Sequence, residues 1–207
     1  MALNVFGGQL VLWLDLPLYL DMIGTAAVAF AFGPWYAVAT AIATQLTGAA
    51  LHQSAVGLPY TPVAVVGALV WGYGIHRWKL GRTPARFLAL SILVAVVCTL
   101  VAVPITAIVF DGFSAHVAGN TLTERFQGVG ESLALALASS NLITSVLDKL
   151  IASFLGLTIG ASLRSLLSID AGSRGAEAIG QFLWSRDRDS QSRFPLRGGL
   201  MALKSYR

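Results

Sequence analysis

Apolar residues run along this chain in blocks rather than in the mixed pattern of a water-facing surface. The breaks between blocks predict helices at 2–14, 20–33, 35–51, 61–76, 87–110 and 142–164. The stretch LDMIGTAAVAFAFGPW, Leu20 to Trp35, organises the first half. Its small residues let neighbouring helices come close, and Asp21 stands where an acidic side chain caps free helix amides. Gly33 and Pro34 end that helix, and Trp35 and Tyr36 open the next as interfacial aromatics. Before it, Asp15 and Pro17 interrupt the apolar run, so DLPLY is predicted as a connecting loop and a candidate lid, flanked by Trp13 and Tyr19. In the next block Thr40, Thr44 and Gly48 recur every four residues, which predicts a packing row. The two prolines of LPYTP mark the loop that follows. From Phe87 to Phe110 there are 24 residues without a charge, enough at ~1.5 Å per residue to cross a ~30 Å hydrocarbon core. Pro104 in that span is a candidate kink. In the last block Asp148, Ala152, Gly156, Gly160 and Arg164 lie four apart, a ridge of small residues with charged ends that predicts a close helix contact.

Composition turns this pattern into a class. The 207 residues are 56% hydrophobic and only 12% charged, which describes a multi-pass membrane protein. The expected fold is therefore an all-α membrane bundle of about six transmembrane helices over 1–165, the first short or truncated, followed by a basic, partly disordered tail over 166–207. Charge then sets orientation. The loop at 76–86 holds Arg77, Lys79, Arg82 and Arg86 without an acid, and the segment from Arg164 carries eight basic residues against four acids. By the positive-inside rule both face the cytoplasm, as do both termini, in a cell membrane whose Arg-over-Lys usage hints at a GC-rich bacterium. The segment 111–131, with Asp111, Glu124 and Glu131 against Arg125, is expected as a polar loop over the outer surface. No basic leader with a cleavage site opens the chain.

Candidate chemistry is sparse. Cys98 stands alone in its span and reads as a buried small hydrophobe. No GxxxxGK[ST], HExxH, GxSxG or CxxC occurs, and the histidines at 52, 76 and 116 are scattered, so neither catalysis, a metal nor a cofactor is expected, nor a nucleic-acid partner. His52 beside Gln53 either lines a polar cavity or is an ordinary surface-loop pair. Asp148 and Lys149 are ionisable residues within an apolar span, where such groups need a cavity or a partner. Adjacent residues project ~100° apart on a helix, so each is expected to have its own environment. Either they reach a water-filled cavity, or Lys149 snorkels and Asp148 bonds a neighbouring helix. Asn141 and Ser145 continue the Asp148 stripe and favour the cavity.

LYLDMIGTAAVAFAFGPWYA, a small-residue helix, a proline-containing loop, GALVWGYG with basic residues after it, and SVLDKLIASFLG together resemble the substrate-binding membrane subunit (S component) of energy-coupling factor transporters over about residues 2 to 165. The resemblance implies a six-helix bundle. Such a subunit captures a vitamin or related micronutrient from outside, then joins a transmembrane coupling subunit and two ATP-binding cassette ATPases for uptake. Ala27 and Ala31 have the spacing for docking that subunit or for plain helix packing. A membrane sensor module is the alternative. The expected substrate site lies in the outer half, between Asp15, Tyr19 and Asp21, the pair His52 and Gln53, and Asn141, Asp148 and Lys149 of the last helix.

Overall fold

The computed structural model describes residues 1–112, 117–128, 130 and 132–166, so His116, Glu131 and the expected tail beyond residue 166 lie outside the described residues. Among those described, every regular element is helical. The order is α1 (Ala2–Leu14), α2 (Ile23–Phe32), α3 (Pro34–Leu51), α4 (Thr61–His76), α5 (Pro84–Val109), α6 (Val117–Gly128) and α7 (Leu133–Leu166), with 3₁₀ turns at Leu58–Tyr60 and Leu80–Arg82. Three helices are long and apolar enough to cross a membrane, Leu58–His76, Pro84–Val109 and Leu133–Ser165, which fits a membrane protein. α1 and α2 are shorter apolar helices, and α3 falls outside both groups.

Prolines set three of the helix starts: Pro34, Pro62 and Pro84 stand in the first turns of α3, α4 and α5, where their fixed φ suits the helix and no donor is lost. Gly33, at φ 99°, supplies the left-handed break between α2 and α3. Pro104 lies within α5 without ending it.

α2 is the hub. Ten residues make it ~15 Å long, and eight of them are buried. It packs against α7, α3, α4 and α1. Both its ends are satisfied from other helices. At the N-terminal end Asn4 of α1 accepts from the amides of Gly24 (2.6 Å) and Thr25 (3.3 Å), while its Nδ2 donates to Thr25 Oγ1 and Thr44 Oγ1. At the C-terminal end His76 bonds the Ala29 carbonyl (3.0 Å) and Arg164 Nε donates to the Ala31 carbonyl (2.8 Å). The expected cap by Asp21 is thereby corrected. The residue flanking α2 is Met22, which makes no side-chain cap bond, and Asn4 supplies the acceptor for the Gly24 and Thr25 amides because α1 runs alongside the start of α2.

The ridge on the last helix is where the pattern placed it. A Cβ at Gly156 would stand 2.7 Å from Ala26 Cβ and 3.0 Å from Ala27 N, and one at Gly160 would stand 2.9 Å from the Ala27 carbonyl oxygen, so both glycines let α7 press against the α2 backbone. Ala27 and Ala31 are 1% and 2% exposed, so their contacts lie within the chain. Around this contact Phe30 packs edge-on to Trp71 and Phe87, Phe87 meets Phe154, and Trp71 Nε1 donates to Ser153 Oγ at 2.9 Å.

Three expectations change. The buried face of α3 is Ala37, Ala41 and Thr44 rather than Thr40, Thr44 and Gly48; Gly48 has nothing within 4 Å of where a Cβ would stand. The segment 111–131 is not all loop, since α6 forms within it and ties to α7 through Thr123 and Ser140 (2.7 Å). α7 also begins nine residues before 142, because LALALA continues the helix upstream.

Candidate functional site

The loop between α1 and α2 is built around Asp148. Asp15 ends α1 in the left-handed conformation (φ 48°), and Leu20 adopts the same region (φ 48°), so the chain folds back and descends along α1. That descent leaves backbone donors pointing inward. Asp148 Oδ1 accepts from Leu20 N at 2.6 Å and Tyr19 N at 3.2 Å, and Oδ2 is bonded to the Lys149 ammonium. Asp148 is 0% exposed. The expectation of separate environments for Asp148 and Lys149 is thus corrected: the flexible four-carbon stem of lysine folds back across the ~100° offset.

A cavity of about 160 Å³ opens beside this latch. Tyr19, Asp21 and Met22 from the loop form one wall, Asn141, Ser145 and Lys149 of α7 another, and Gln45, Tyr60, Val63, Ala64, Cys98 and Ala102 close it from α3, the 3₁₀ turn, α4 and α5. Lys149 Nζ stands 5.8 Å from the centre of the Tyr19 ring. Asn141 Nδ2 donates to the Tyr19 hydroxyl at 3.4 Å, and its Oδ1 accepts from Ser145 Oγ at 3.3 Å. Tyr60 is stacked on Phe110 (5.3 Å, 3°) and bonded to Thr106 Oγ1 at 2.9 Å, which fixes its ring at the cavity edge. Apolar walls with a few convergent polar groups are the make-up of a small-molecule site. Among the described residues no group of three metal-ligating side chains is gathered.

Of the residues expected at a site, Tyr19, Asp21, Asn141 and Lys149 line this cavity. Asp148 holds the wall from behind. Asp15 lines a different, open groove with Pro17, Arg125 and Thr144, and His52 and Gln53 are exposed at the end of α3 and line neither. Met22, Gln45 and Tyr60 were not anticipated at the cavity. Gln45 carried a signal, as a lone amide in an Ala/Thr-rich helix; Met22 carried none. Comparison with protein families, curated proteins and solved structures found no match to this chain.

Proposed function

We propose that this chain is the substrate-binding membrane subunit of an energy-coupling factor type uptake transporter. The single observation that carries the reading is the cavity roofed by a loop that interrupts an apolar helix pair. Non-helical backbone at membrane depth is tolerated where it is satisfied by protein and borders a cavity, and discontinuous helices mark binding sites in transporters. Asp148 stands ~22 Å along α7 from its first residue and ~27 Å from its last, so the loop it holds meets the helix near mid-length. The motif resemblance over residues 2 to 165 adds to this reading.

In the proposed topology the six helices α1 to α5 and α7 form the bundle, in a bacterial cell membrane with both termini and the basic loop after α4 inside. The cavity is bordered by the start of α4 and the later half of α5, at the end away from that loop, and so opens outward. A vitamin-like small molecule enters from outside. The subunit then passes it on through a transmembrane coupling subunit and ATP-binding cassette ATPases, and itself performs no chemistry. With Ala27 and Ala31 occupied inside the chain, the coupling subunit meets a lipid-facing surface elsewhere. The test is to purify the protein from cells, identify co-purifying small molecules by mass spectrometry, and measure uptake with a coupling module present. A retained small molecule that Ala64→Phe expels supports the reading; uptake and retention unaffected by that substitution overturn it.

A further inference from the structure

We infer that the open groove beside Asp15 binds the headgroup of a zwitterionic phospholipid, one that carries a phosphate and an ammonium as phosphatidylethanolamine does. This goes beyond the transport reading and needs only that the helices span a membrane. The groove holds about 350 Å³ and lies between the loop after α1, α6 and α7, with Asp15 on the first, Leu122 and Arg125 on the second and Ile143, Thr144 and Leu147 on the third. Its acid and its base come from different elements. Both are exposed, and among the described residues neither takes part in an ion pair. Thr144 is only 3% exposed, yet among the described residues its hydroxyl has no hydrogen-bond partner. A buried hydroxyl that borders a groove in this way is costly until something in the groove bonds it.

The groove also stands at headgroup depth. Thr144 precedes Arg164 by 20 residues, ~30 Å of helix, which is the thickness of a hydrocarbon core. With Arg164 at one boundary the groove lies at the other. From it Ile143, Leu147, Ile151 and Leu155 follow one another four residues apart along α7, each between 37% and 49% exposed. This row covers ~18 Å, slightly more than the ~15 Å depth of one leaflet, so a headgroup in the groove would have an acyl chain lying on α7 below it. That continuity favours a lipid over a soluble zwitterion. The planar fork of Arg125 matches a phosphate, Asp15 supplies the counter-charge for an ammonium, and Thr144 can donate to a phosphate or ester oxygen. An anionic lipid such as phosphatidylglycerol satisfies Arg125 but brings nothing to answer the carboxylate of Asp15.

Native mass spectrometry of the purified full chain in detergent, titrated with phosphatidylethanolamine and phosphatidylglycerol of identical acyl chains, tests this. The ethanolamine lipid is expected to bind roughly fivefold more tightly, the worth of one partly exposed ion pair. Arg125→Gln should weaken both lipids severalfold. Asp15→Asn should weaken the ethanolamine lipid alone and bring the two affinities together; asparagine tolerates the left-handed backbone at position 15, and both side chains are exposed, so unchanged melting temperatures are expected of both variants. Thr144→Val should weaken the ethanolamine lipid further. Soluble phosphoethanolamine in large excess should fail to displace the bound lipid, because it has no chain to lie on the α7 row. Displacement by it would give the groove to a soluble zwitterion and overturn the lipid assignment. Equal binding of the two lipids by the wild-type chain, binding of neither, or a preference that survives Asp15→Asn combined with Arg125→Gln overturns the site, and none of these outcomes touches the cavity or the transport reading.

Discussion

Asp148→Asn is the most informative single change, because it removes one charge and almost no volume. The wild-type carboxylate accepts from two loop amides at 2.6 and 3.2 Å and neutralises Lys149, all out of contact with solvent. Asparagine keeps an oxygen for the amides, so the main loss is the ion pair, and the buried ammonium loses its bonded counter-charge. Breaking one side of such a pair costs ~3–5 kcal/mol. For a chain of this size each kcal/mol moves the melting temperature by roughly 2–4 °C, so a fall of about 10 °C is expected. Lys149→Met strands the enclosed Asp148 carboxylate, which keeps its two amide bonds, and should cost a comparable ~3–5 kcal/mol. The decisive sample is the double variant. Once the carboxylate has gone, removing the ammonium relieves an uncompensated charge, so Asp148→Asn with Lys149→Met should regain at least half of the loss. Tryptophan fluorescence melts in detergent read all three. A single Asp148→Asn variant melting within about 2 °C of wild type, or a double variant melting below it, would refute the latch.

Three further outcomes are expected. Gly156→Leu and Gly160→Leu should each lower the melting temperature by several degrees, since a side chain there meets the α2 backbone and overpacking costs ~1–3 kcal/mol; unchanged melting of both would deny the close contact. Asn4→Leu leaves the Gly24 and Thr25 amides without their acceptor, at about 1–3 kcal/mol, and Asn4→Asp should retain more of the stability than Asn4→Leu in the same melt. In a Cys98→Ala background on intact cells, an impermeant thiol reagent should label Ser54→Cys and spare Thr83→Cys; labelling of the second alone would invert the proposed orientation.

The helices were legible where apolar blocks end in strong punctuation. The starts expected at 35, 61 and 87 fall at Pro34, Thr61 and Pro84, and the Gly156 and Gly160 spacing marked a close helix contact, whose partner, α2, it did not name. α6 was not legible, because VAGNTLTERFQG lacks the apolar content that drew attention elsewhere, and its attachment through Thr123 and Ser140 is polar. The face of α3 was misjudged by less than one turn, since a run of Ala and Thr offers several rows of similar residues and only the neighbours decide among them. At the cavity, proximity to apolar spans singled out Tyr19, Asp21, Asn141 and Lys149, yet the same criterion wrongly gathered His52 and Gln53, which the end of α3 directs to the surface. Asn4 was invisible as a cap because it acts on a helix twenty residues away, and local cap rules look only at adjacent sequence.

The dependence of α2 on α7 imposes an order on biogenesis. Leu20 finds its acceptor 128 residues later in the chain and the Ala31 carbonyl its donor 133 residues later, so at ~5–20 residues per second the ribosome needs on the order of ten seconds to supply them. Throughout that interval a helix of ~15 Å, half a hydrocarbon core, holds its bent approach without the Asp148 acceptor and its far end with only His76 of α4 to bond it. The nascent N-terminal third must therefore wait, shielded by the insertion machinery or by its own early helices, and the last of the described helices to be made is the one that locks the first ones shut.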